Sequence, residues 1–129
     1  MGKSDSSKSK TAVFDGELYD RRLKVYLAAH KLLGQVAQDG RVSGPGLQVF
    51  EEEKLHGEFL FSEKVSDYLD ELQSAAGKNL ASNTVLEHME EEEQEQREKF
   101  TKDADKSLEW LLKQREKLKS AFAKDMAGA

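Results

Sequence analysis

The chain has 129 residues and a mass of 14.5 kDa, enough for one small domain, with 35% charged and 37% hydrophobic residues and a mean hydropathy of −0.75. The absence of cysteine excludes disulfides, thiolate metal sites and thiol nucleophiles, and a net charge of −5 with a pI near 5.3 sets the surface as a whole against nucleic acid. One proline, nine glycines and regularly spaced apolar residues leave little material for a β-sandwich, so the expected class is all-α: a small antiparallel bundle of about four helices.

Residues 1–13 form a Ser/Lys-rich segment with almost nothing to bury, which is expected to be a disordered tail ahead of a single bundle domain over 14–126. The tail begins Met1-Gly2-Lys3-Ser4-Asp5-Ser6, which fits the N-myristoylation pattern and makes Gly2 a lipidation candidate. A Met-Gly start is also a common remnant of cloning. No window approaches the run of about eighteen apolar residues that a bilayer crossing needs, so a cytoplasmic chain is expected.

The first helix is predicted over Glu17 to Ala37. Two apolar rows, Tyr19-Leu23-Tyr26-His30-Leu33 and Leu18-Val25-Leu32-Val36, give it a broad arc that needs two neighbours. Gly40 is a natural stop, and Ser43-Gly44-Pro45-Gly46 opens a short second helix with Ser43 as N-cap and Leu47, Phe50 and Leu55 behind it. His56-Gly57 ends it. Phe59-Leu60-Phe61 is then the densest apolar cluster and is expected to be a buried plug with Phe59 and Phe61 in the core.

Ser62 caps a third helix whose stripe is Val65, Tyr68, Leu69, Leu72, Ala76 and Leu80. Gly77, Asn79, Ser82 and Asn83 weaken its end, and Thr84 to Met89 fits either a continuation or a loop. From Glu87 to Glu98 seven acids stand against Arg97, and from Lys99 to Lys124 eight bases stand against four acids, so charge reverses along the last helix. Its predicted buried stripe is Phe100, Ala104, Leu108, Leu111, Leu118 and Phe122, widened by Trp110 and Leu112. Glu95–Lys99, Glu98–Lys102 and Glu109–Lys113 are correctly oriented i,i+4 pairs. Arg115 interrupts the seam, which favours packing back on the first and third helices over a sustained coiled coil.

Chemistry is sparse. Glu53 with His56 and His88 with Glu92 stand at spacings that put two ligands on one helix face, but a carboxylate-bridged metal bundle needs two Glu-x-x-His pairs and two further glutamates. Neither a metal nor a cofactor is expected. No Gly-x-Ser-x-Gly elbow or phosphate loop is present, and Pro45 removes an N–H donor from the one glycine-rich turn that could imitate the latter. The acidic run Glu90 to Glu93 and the basic stretch Lys113 to Lys124 read as solvated helix faces.

Leu18-Tyr19-Asp20-Arg21-Arg22-Leu23-Lys24-Val25-Tyr26, Gly40-Arg41-Val42-Ser43, Phe59-Leu60-Phe61 through Tyr68-Leu69-Asp70-Glu71-Leu72, and Leu108-x-Trp110-Leu111 with Phe122 together resemble a group of uncharacterised bacterial helical domains. The resemblance covers residues 17–126 and implies an all-helical cytoplasmic domain, in many members placed after membrane helices, with no assigned activity. No span precedes Phe14 here, which leaves open a trimmed anchor or a soluble member. The resemblance also implies that Arg21 and Arg22 belong to a recurrent Tyr-Asp-Arg-Arg feature. Either they pair with Asp20, Asp67 or Asp70, or with Tyr19 and Tyr26 they form a partner-binding surface, since Tyr and Arg are frequent binding anchors.

The expected role is therefore a non-enzymatic interaction module that binds a protein, with no nucleic acid, and with the inner face of a membrane as a second setting. A ligand- or metal-sensing bundle is the alternative, using His56 with Glu52 or Glu53, or His88 with Glu92.

Overall fold

A computed structural model describes residues 15–90 and 93–128, and among them it contains four helices and no strand. Helix α1, Gly16–Asp39, starts where the Asp15 carboxylate accepts from the Leu18 N–H at 3.0 Å. It stops at Gly40, whose φ of 74° returns its N–H to the Val36 carbonyl, a left-handed cap that a side chain would strain. Val25, Ala29, Leu32, Leu33 and Val36 are its buried stripe.

The α1–α2 connection is held by side chains rather than by length. Gln35 donates to the Arg41 carbonyl at 2.9 Å and accepts from Ser43 N–H at 3.2 Å, while Ser43 Oγ accepts from Gly46 N–H to start α2, Gly44–His56. Pro45 sits in the first turn, where its missing N–H costs nothing. Helix α2 buries Leu47 and Phe50.

Helix α3, Glu63–His88, starts at Ser62, whose Oγ accepts from Val65 N–H, and it continues through the segment Thr84 to His88 that the sequence left open. Helix α4, Gln94–Ala127, follows with no side-chain cap at its start. Arg97 instead reaches back to the Met89 carbonyl at 3.0 Å. Of the three predicted i,i+4 pairs, Glu109–Lys113 closes at 3.8 Å.

Cross-bundle contacts set the topology. Arg22 near the start of α1 meets Leu60 before α3 and Asp125 at the end of α4. At the other end, Asn79 of α3 meets Val42 after α1 and Ala104 of α4. The helices therefore alternate up and down, with each packed on two neighbours and with α2 and α4 diagonal and out of contact. Helix α4 does pack back on α1 and α3, and Arg115 points outward. At 1.5 Å per residue α2 is about 20 Å long against about 39 Å for α3, so α2 covers only part of the inner face and the α2–α3 seam is the thinnest.

One core, built from Val25, Leu32, Leu33, Phe50, Leu72, Leu111 and Phe122 among others, runs through all four helices. It departs from the predicted stripes in two ways. Several apolar residues lie outside it: Leu55 and Leu112 are exposed, and Leu108 and Phe100 are half-buried. Conversely, four polar residues lie within it, namely Asn79, Ser82, Ser107 and Gln114.

Each of three among these has bonding partners that justify its burial. Asn79 Oδ1 accepts from Val42 N–H at 2.8 Å, and Asn79 Nδ2 donates to the Ala104 carbonyl at 3.0 Å and to Ser107 Oγ at 3.2 Å. Ser107 Oγ in turn donates to the Asp103 and Ala104 carbonyls. Gln114 accepts from the Tyr68 hydroxyl at 2.9 Å, and burial, followed by the nearby Glu71 carboxylate, pushes that phenol up to about 12.

Candidate functional site

The turn between α2 and α3 overturns the buried-plug expectation. Gly57 ends α2 with its backbone pressed on α1: a Cβ there would stand 2.6 Å from Val25 Cγ2 and 3.3 Å from Phe61 Cε2. Leu60 N–H then donates to the Gly57 carbonyl at 3.0 Å, which closes a tight turn with Phe59 at its corner. Phe61 goes inward and packs edge-on against Phe122, with ring centroids 5.5 Å apart. Phe59 goes outward and is 92% exposed, beside Leu55 at 67%. The two phenylalanines of one apolar cluster thus have opposite environments, because the backbone reverses between them.

Polar groups fix this turn from three sides. Arg22 donates from Nε to the Leu60 carbonyl at 2.6 Å and from its terminal nitrogen to the Asp125 carbonyl at 2.5 Å, and its guanidinium lies over the Phe61 ring at 5.7 Å. Asp125 accepts from Ser62 N–H at 2.8 Å and from Ser62 Oγ at 2.9 Å. The arginine therefore sits on carbonyls at the C-terminus of α4 and the aspartate at the N-terminus of α3, both favourable against the helix dipoles.

Leu55 and Phe59 border a cleft of about 540 Å³ between α2 and α3, floored by the buried Leu69. Its rim carries the carboxylates of Glu51, Glu58 and Asp70 against one ammonium, Lys54, which is already paired with Asp70 at 2.7 Å. Gln73 donates to Glu51 at 2.8 Å.

The residues singled out from the sequence are distributed as follows. Tyr19 and Tyr26 come together along a shallow α1–α4 groove of about 230 Å³ with Leu23, Phe122 and Met126, where Tyr26 stacks edge-on against Phe122 at 5.3 Å. Arg22 is turned away from them into the clamp just described. It pairs with backbone carbonyls and not with Asp20, Asp67 or Asp70, while Arg21 is exposed. His30 is exposed at the edge of Tyr26. His56 Nδ1 lies 4.0 Å from Glu53 Oε1, and His88 Nδ1 lies 2.8 Å from the Thr84 carbonyl; Glu92, like Gly2, falls outside the described residues. Among the described residues no group of three or more His, Asp or Glu is placed to hold a metal ion, and no helix is long and apolar enough to cross a membrane. No family model, no curated protein and no solved structure matches the chain.

Proposed function

We propose that this chain is a non-catalytic helical interaction module that binds a protein partner through the α2–α3 turn. The observation that carries this reading is Phe59. An aromatic side chain 92% in water, beside a leucine 67% in water, is apolar surface that the fold itself does not use. The turn that presents it is hydrogen-bonded in place, so a partner would meet a preformed anchor with little ordering cost. Aromatic anchors flanked by polar rims are what interface hot spots are made of. The interior polar groups, by contrast, are engaged in joining helices: Asn79, Gln114 and Arg22 all have internal partners.

Placement in the cytoplasm belongs to the same proposal, and so does membership of the bacterial helical group that the sequence resembles. The test is a photo-crosslinking amino acid, p-benzoylphenylalanine, placed at Phe59 in the native cell, with Glu109 on the far helix as the control position. A discrete adduct at Phe59, absent at Glu109 and lost on Leu55→Ser, is expected. Identical adduct patterns at the two positions would refute the reading.

A further inference from the structure

Resting on that reading of the turn, we infer that the α2–α3 cleft receives a basic segment of the partner protein, one that sets a bulky apolar side chain against Phe59 and Leu55 between lysines or arginines. The argument is charge complementarity around an apolar floor. Leu69 closes the bottom, Leu55 and Phe59 supply the walls, and the carboxylates of Glu51, Glu58 and Asp70 stand round the mouth. Lys54 offsets Asp70 alone, because it is bonded to it, so Glu51 and Glu58 present uncompensated negative charge at the rim. Apolar contact supplies affinity in such a cleft, whereas the rim supplies orientation and the rate of encounter. An acidic segment entering here would place like charges within a few ångströms and be rejected.

The same charges weigh against the two other occupants. An anionic lipid surface attracts basic patches, and Phe59 inserted into it would carry Glu58 toward the headgroups. A second copy could offer the outer face of α4, with Lys113 and Lys117, but α2 and α4 lie diagonally across the bundle. Such a contact is head-to-tail and builds a ring or an open chain of molecules, not a two-fold dimer.

The experiment measures binding of the full chain to a fluorescein-labelled amphipathic Leu/Lys peptide, to its Leu/Glu counterpart, and to phosphatidylglycerol vesicles. The Leu/Lys peptide should bind, with affinity falling about tenfold on Phe59→Ser or on the double change Glu51→Lys with Glu58→Lys, and falling further as salt is raised. All of these positions are exposed, so the variants are expected to remain folded, which circular dichroism checks. Equal or tighter binding of the Leu/Glu peptide, binding unaffected by Phe59→Ser, or preferential binding to the vesicles would each overturn the inference. Salt-sensitive self-association abolished by Phe59→Ser would overturn it in favour of a second copy. A crosslink at Phe59 to an acidic segment would sink the basic class while leaving the interaction surface standing.

Discussion

Replacing Asn79 should cost more than a polar-to-apolar exchange in a helix interior normally does, because one side chain there satisfies groups on two other segments, the α1–α2 connection and α4. It is 1% exposed, and it provides the acceptor for Val42 N–H, itself on a residue with no exposed surface. In Asn79→Leu, which keeps the number and branching of side-chain heavy atoms, the Ala104 carbonyl keeps Ser107 Oγ as a donor and Asn83 keeps the Asn79 carbonyl, so neither is orphaned. Val42 N–H is orphaned. A buried unsatisfied donor costs about 1–3 kcal/mol, and the added leucine carbons return only part of that, so a net loss of about 1–2 kcal/mol is expected. Asn79→Ala adds a cavity and should lose about 2–4 kcal/mol, a serious fraction of the ~5–15 kcal/mol typical of a domain.

Asn79→Asp separates the donor role from the acceptor role. The introduced carboxylate still accepts from Val42 N–H, but it faces the Ala104 carbonyl without a proton to give. Burial and that carbonyl raise its pKa above the ordinary carboxylate value of about 3.9. Stability is then fully present below the unfolded-state pKa and is lost as pH rises through the folded-state pKa. Urea unfolding followed by circular dichroism should therefore show Asn79→Asp worsening from pH 4 to pH 7, with Asn79→Leu shifted by a constant amount. Native-state hydrogen exchange should show the Val42 amide losing protection in Asn79→Leu. A variant Asn79→Leu as stable as the parent chain, with Val42 still protected, would refute the reasoning.

The two phenylalanines of the turn should part company: Phe61→Ala should cost about 2–3 kcal/mol, because Phe61 packs on Phe122 though only half-buried, whereas Phe59→Ala should stay within about 0.5 kcal/mol by urea unfolding. Gly57→Ala drives a methyl against the buried, β-branched Val25, which has little room to rotate, and should cost about 1–3 kcal/mol by the same measurement. Tyr68 gives an alkaline signature: with its folded-state value pushed up to about 12 from 10.0, stability falls as pH rises through that window because the unfolded chain ionises first. The stability difference between the parent chain and Tyr68→Phe should be flat below about pH 10 and should narrow above it, and a flat difference throughout would contradict the assignment.

The helices were legible because their signals are local. Ser43 and Ser62 cap by reaching three residues ahead, and Gly40 stops α1 by its own backbone freedom. The buried polar set was legible in part and was misread. Asn79 stands three residues after Ala76 and seven after Leu72, on the buried stripe, and Gln114 stands three after Leu111. Their position marked them as interior. The polarity of Asn79 reads as helix weakening and that of Gln114 carries no signal of its own, because the partners that meet them there are on other segments, distant in sequence.

The turn failed for a different reason. Apolar density is a sum over residues, but burial depends on direction, and direction at Phe59 is set by the Leu60–Gly57 hydrogen bond and by Arg22, some 38 residues away, gripping the Leu60 carbonyl. From the sequence Arg22 is either a carboxylate-paired or a partner-binding residue, and Phe59 is core. The exchange of roles is causal: because Arg22 and Asp125 hold Leu60 and Ser62 in place, Phe61 is drawn onto Phe122 and Phe59 is left at the corner facing water. A frayed loop could fold its phenylalanine back onto Leu55. This turn is tied before residue 59 by the Gly57 and Glu58 N–H groups and after it by Arg22 and Asp125, so the exposure is enforced in part by the same polar contacts that join α1, α3 and α4.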